Sequence, residues 1–118
     1  MTFRDIIEGI HRKEPAVRGG ALAGSDGLAV EEWSVAGGLD LSALCAEMVQ
    51  FFKESARVAR EQGLGDASEV SLVGGDGQLF FQRVTADYFL LLVTLPGAIP
   101  GKCRFLLRQG ASRAREML

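Results

Sequence analysis

The chain predicts an α/β fold, a three-layer domain with a five-stranded, mainly antiparallel sheet between helices. Three observations carry this. Apolar residues recur at helical spacing in three segments, near residues 3–13, 40–62 and 101–118. Glycine turns, Ser25-Asp26-Gly27 and Gly74-Gly75-Asp76-Gly77, separate strand-like runs. One run, DYFLLLVTL (87–95), is apolar on both faces, so both faces must be covered and the strand should be central. The element order is α-β-β-α-β-β-β-α, and the spacing accommodates one domain over residues 1–118.

The first helix covers about Phe3 to Lys13, with Phe3, Ile6, Ile7 and Ile10 on one face. Thr2 and Asp5 form a capping-box pattern, and Pro15 forces the preceding residue out of the helical region. Strands follow over Ala16–Ala23 and Leu28–Ser34. Asp26 and Gly27 suit the hairpin turn between them, and Gly19 and Gly20 mark a bulge or a close approach by a neighbouring element. Asp40 is positioned to cap the second helix, where Leu41, Leu44, Cys45, Met48, Val49 and Phe52 form a full apolar stripe. Gly63 and Gly65 end it. Strands over Ser68–Val73, Gln78–Val84 and Asp87–Leu95 come next. The last helix starts near Gly101, with Cys103, Leu106, Leu107, Gly110, Ala111, Ala114 and Leu118 repeating the i, i+3, i+4 spacing.

Composition limits the chemistry. A chain of 118 residues can bury a core unaided, and its 47% apolar and 24% charged residues are ordinary for a globular protein. A net charge of −2 lacks the basic excess of a nucleic-acid binder. No apolar run approaches the roughly 18 residues that span a bilayer, and the N-terminal stretch alternates charge with apolar residues and lacks a secretory apolar run, so a cytoplasmic location is expected. Cys45 and Cys103 lack metal-ligand spacing and read as small buried apolar residues. With a single histidine, His11, neither a zinc site nor a hydrolytic triad is supplied, and Asp26 and Asp76 are turn residues. Gly97–Cys103 falls short of a phosphate-binding loop. Three residues rather than four separate its glycines, Pro100 removes an amide donor, and Cys103 stands where a hydroxyl would bind Mg²⁺. No enzyme activity, cofactor or metal is expected.

In order and spacing, several segments resemble roadblock-type domains of the dynein light-chain roadblock family. These are ALAGSDGLAVEEW (21–33), ARVAREQGLGDASEVSLV (56–73) with the following GDG turn, LFFQRV (79–84), YFLLLVTL (88–95) and PGAIPGKCRFLLRQGASRA (96–114). The resemblance covers nearly the whole chain from Val17 onward. It implies a profilin-like sheet with the second helix on one face and the first and last helices on the other. It also implies homodimers or heterodimers joined through the second helix and third strand, and work as a platform for small Ras-like GTPases, as a GTPase-activating partner in bacteria, or as a subunit of a larger scaffold. It transfers no catalytic residues.

The second helix has a further feature. Phe51 and Val58 lie off the apolar stripe, among Glu47, Glu54 and Arg57. An apolar centre with a charged surround is the anatomy of an interface; the alternative is that Phe51 reaches over the sheet into the core. The third strand is short, free of proline and charged only at Glu69, a poorly guarded edge. Glu47, Phe51, Glu54, Arg57 and Val58, with Glu69, Ser71 and Val73, are therefore the expected dimer and partner surface. The leading function is a non-catalytic dimeric regulator or scaffold for a Ras-like GTPase. The alternatives are a structural oligomerisation subunit and a small-ligand sensor module. The last helix carries Lys102, Arg104, Arg108, Arg113 and Arg115 against Glu116, a solvated face or a patch for an acidic partner or anionic membrane. Aromatics are not expected to interleave with these arginines, which argues against single-stranded nucleic acid.

Overall fold

The computed structural model describes residues 1–35 and 37–118. Its elements run α1 (Phe3–Lys13), β1 (Val17–Gly24), β2 (Ala29–Ser34), α2 (Leu41–Glu61), β3 (Glu69–Val73), β4 (Gln78–Arg83), β5 (Tyr88–Thr94) and α3 (Pro100–Met117). The order matches the sequence reading, with boundaries moved by a residue or so.

Local chemistry sets the ends of these elements. Thr2 and Asp5 close the capping box from both sides: the Asp5 amide donates to Thr2 Oγ1 at 3.2 Å and the Thr2 amide to Asp5 Oδ2 at 2.8 Å. His11, Arg12 and Lys13 occupy the last turn of α1, where cations suit the helix dipole. Asp40 accepts the Ala43 amide at 3.0 Å and starts α2. In the first hairpin Asp26 Oδ1 accepts the Leu28 amide at 3.0 Å while Gly27 takes φ of 87°, which a side chain would resist.

The strands form one antiparallel sheet in the order β2-β1-β5-β4-β3. β5 is central, as its two apolar faces required. Leu90 and Leu92 enter a core with Ile6, Ile7, Ile10, Phe80, Leu106 and Leu107 under α1 and α3. Phe89, Leu91 and Val93 enter a second core with Cys45, Met48, Val49, Phe52 and Phe81 under α2. Helices thus cover both faces, one on one side and two on the other, in a profilin-like arrangement. Each fully buried Leu or Phe contributes about 1.5–3 kcal/mol over its exposed state.

The glycines of β1 permit this packing. A Cβ at Gly20 would stand 2.5 Å from the Leu91 carbonyl and 2.9 Å from the Ile7 side chain, so α1 lies against bare backbone there. The register of β1 shifts between Val17 and Gly19 against β5, and between Leu22 and Ala23 against β2. In the second shift Leu22 pairs with Glu31 and Ala23 with Ala29, so Val30 bulges out of the β2 edge. Two hydrogen bonds seat α3: Gln78 Nε2 donates to the Ala98 carbonyl at 2.9 Å, and Arg115 Nε to the Val84 carbonyl at 2.7 Å.

Gly20→Ala should overpack the α1–β1 contact and lower stability by about 1–3 kcal/mol, read as a lower urea midpoint with an unchanged slope.

Candidate interaction surface

The outer side of α2 follows from its period. The stripe Leu41, Cys45, Met48, Val49, Phe52 and Ala56 faces the sheet and is buried. Phe51 and Val58, seven residues apart, are offset by only ~20° around the axis, so they share one flank. Both are 44% exposed. The alternative in which Phe51 enters the core is thereby removed. Glu47, Glu54 and Arg57 are also exposed. Arg57 is held between Glu54 and Glu61, donating to both carboxylates, on the more polar side of the helix. These fully exposed ion pairs orient side chains and add little stability.

β3 is an edge strand paired only with β4. Its alternation divides the expected surface between two layers. Val70 packs against the α2 core, so Leu72, two residues on, points the same way and is 46% exposed. Glu69, Ser71 and Val73 point to the opposite face. Ser71 is exposed and Val73 is 65% exposed. Glu69 turns to α3, accepting from Arg104 Nη2 at 2.9 Å and Arg108 Nη2 at 3.3 Å. Hence Phe51, Val58 and Leu72 belong to the α2 layer, and Glu69 is a brace between β3 and α3. The sequence reading passed over Leu72, although the period-2 alternation from Val70 points to it.

Burial pushes the Glu69 carboxyl up, but hydrogen bonds from Arg104 and Arg108 outweigh this and hold it below the ordinary glutamate value of 4.5. The other singled-out groups serve the fold. Cys45 and Cys103 are buried, and burial pushes the Cys45 thiol up to about 11, far from a reactive thiolate. His11 Nδ1 is 2.8 Å from the Val17 carbonyl oxygen. Gly97 adopts φ of 93° before α3, and Cys103 faces the core, so the Gly97–Cys103 stretch is a helix-start turn.

One expectation fails. Phe105 stands 55% exposed on the outer face of α3, flanked by Arg104 and Arg108. The period of 3.6 carries it to the side of the helix opposite Cys103 and Leu107. A lone ring still lacks the succession of stacking platforms used for single-stranded nucleic acid. Among the described residues no helix is long and apolar enough to cross a membrane.

With α2 alone on one face, α1 and α3 on the other, and the strand order β2-β1-β5-β4-β3, the chain superposes along nearly its whole length on solved structures. A Roadblock/LC7 domain from Streptomyces avermitilis superposes with a TM-score of 0.86 at 14% identity, covering 97% of this chain and 95% of that one. The chain folds as a roadblock-type domain. An MglB solved with a tetrameric arrangement gives a TM-score of 0.88 at 17% identity, over 98% of this chain and 86% of that one. MglC from Myxococcus xanthus is 26% identical over the whole of both chains, with a TM-score of 0.70. Profilin II of Acanthamoeba castellanii shares the layered plan at a TM-score of 0.71, with 18% identity and 98% of each chain covered. No family model and no curated protein matches the sequence.

Because the folded-state value of Glu69 is depressed, its stabilisation is present above pH 4.5 and lost as pH falls through that lower value. Glu69→Gln should cost about 0.5–1 kcal/mol at pH 7, given its exposed partners, and the difference from the parent should shrink toward pH 3. Urea titrations across that range check it.

Proposed function

We propose that this protein is a dimeric, non-catalytic regulator or scaffold for a small Ras-like GTPase in the cytoplasm. The observation that carries this reading is the joint exposure of the Phe51–Val58 flank of α2, of Leu72 in the same layer, and of the free β3 edge. An unpaired strand edge is a template for another strand. Two copies related by a two-fold axis can join there through Ser71 and Val73, extending the sheet and bringing their second helices together. The part of the α2 flank not consumed by the dimer, with Glu47, Glu54 and Arg57 around it, is presented twice and forms the GTPase platform. Self-association is supported by the tetrameric arrangement of the structurally similar MglB. The GTPase partner is supported by the roadblock resemblance. The chain's own role is binding: Asp5, Asp26 and Asp40 serve caps and turns, Glu69 braces β3 to α3, and hydrolysis stays with the partner.

Light scattering at micromolar concentration should return twice the chain mass; a monomer persisting at high concentration sinks the dimer. Phe51→Asp, at a surface position, should leave the circular dichroism spectrum intact. It should yield either a folded monomer or a dimer that has lost its GTPase. A stable dimer that still binds its GTPase with parental affinity refutes the placement of the platform.

A further inference from the structure

The flank of α2 opposite Phe51 holds a groove of about 260 Å³. Its floor and inner walls are Phe52, Ala56, Ala67, Ala86 and Phe89. Phe52 and Phe89 pack with ring centroids 4.9 Å apart, and Phe81 stacks beneath at 5.0 Å from Phe89, so the floor is rigid and aromatic. Three cations from two elements stand around it. Lys53 and Arg60 are seven residues apart on α2 and share its face. Arg83 ends β4 on the same side of the sheet as Phe81. The remaining polar wall is Ser25, from the β1–β2 turn.

The charge pattern is what singles out this groove. Five cations elsewhere are answered by carboxylates: Arg57 by Glu54 and Glu61, Arg104 and Arg108 by Glu69, Lys102 by Glu14, Arg12 by Glu8. Arg4 and Arg115 donate to the Glu32 and Val84 carbonyls. Of the others, Lys13 and Arg113 share a cavity with the paired Arg12, so among the described residues the groove beside α2 is where three unpaired cations meet around an apolar floor. Among the described residues no carboxylate lies within 4 Å of Lys53, Arg60 or Arg83. The chain as a whole has more acids than bases, 15 against 13. Placing three unanswered cations around one apolar hollow, in such a chain, leaves local repulsion that a bound anion relieves. The apolar floor adds a requirement that simple anions do not meet. A cavity with apolar walls and a few convergent polar groups is the usual form of a small-molecule site. This one is slightly below the roughly 300–1,000 Å³ of drug-sized pockets, which fits a compact ligand.

We infer that the groove bounded by Lys53, Arg60 and Arg83 binds a small amphipathic anion: a phosphate or carboxylate head on a planar or apolar body. The head sits among the three cations and accepts from Arg83 and the Ser25 hydroxyl. The body lies against Phe52 and Phe89. Arginine provides the planar donor fork that suits phosphate and carboxylate oxygens. The site is independent of the Phe51 flank and stands whether or not that flank binds a GTPase.

Phenyl phosphate is the probe, titrated calorimetrically and by amide chemical shifts. The parent protein should bind it, with shifts concentrated at Ser25, Ala67, Ala86 and Phe89. Inorganic phosphate, a head without a body, should bind at least tenfold more weakly, and benzylamine, a body with the opposite charge, should not bind. Arg83→Gln and the pair Lys53→Gln with Arg60→Gln should each weaken phenyl phosphate at least tenfold while the circular dichroism spectrum is unchanged. No binding to the parent, equal binding by the variants, or equal binding of benzylamine overturns the site. Sedimentation with phosphatidylglycerol vesicles, lost in the same variants, without any binding of phenyl phosphate overturns the assignment to a free molecule.

Discussion

β5 (Tyr88–Thr94) has to satisfy four neighbours at once. Its backbone pairs with β1 on one side and β4 on the other, and its side chains enter a core on each face. A strand placed this way leaves no polar surface for water, which is why its sequence is almost continuous Leu, Phe and Val. Everything else takes its place from that requirement. Leu90 and Leu92 fix the plane on which α1 and α3 rest, and Phe89 and Leu91 fix the plane for α2. The bare backbone at Gly20 then lets Ile7 approach the strand beside it.

α2 lies alone on its face of the sheet and turns its outer side to solvent. A helix of 21 residues has about six turns, enough to bury one stripe and still present two distinct flanks. One flank is apolar with an acidic surround, at Phe51 and Val58; the other supplies Lys53 and Arg60 to a groove floored by aromatic rings. The same buried residue, Phe52, supports both, since it lies between the flanks and stacks into the Phe81–Phe89 pair. A change in how that ring packs would be felt on either side of the helix.

What could be read in the sequence was whatever depends on near neighbours. The capping box at Thr2 and Asp5, the Asp40 cap, the Asp26-Gly27 turn and the burial of β5 each rest on residues a few positions apart. The surfaces were read less completely, because they depend on residues that only the fold brings together. Glu69 meets arginines 35 and 39 positions away, which turned an expected edge residue into a brace. Arg83 joins Lys53 and Arg60 only because β4 ends beneath the C-terminal half of α2. Phe105 was passed over although near neighbours suffice to place it: on a helix whose successive residues point about 100° apart, it stands two positions from Cys103 and from Leu107 and so faces away from both.

The two borders of the sheet are not alike, and the difference bears on how far copies of the chain could add to one another. β3 pairs in unbroken register with β4 and leaves its outer amides and carbonyls free. β2, at the other border, is interrupted where Val30 bulges out of line, and Glu32 sits exposed a little further along. A strand adding to that border would meet a kink and a charge, both known deterrents to pairing. Once two β3 borders have met, the remaining ends of the joined sheet are both of the interrupted kind. Growth by strand addition would then stop at two copies, so pairing along one border would carry with it a protection against becoming a fibre.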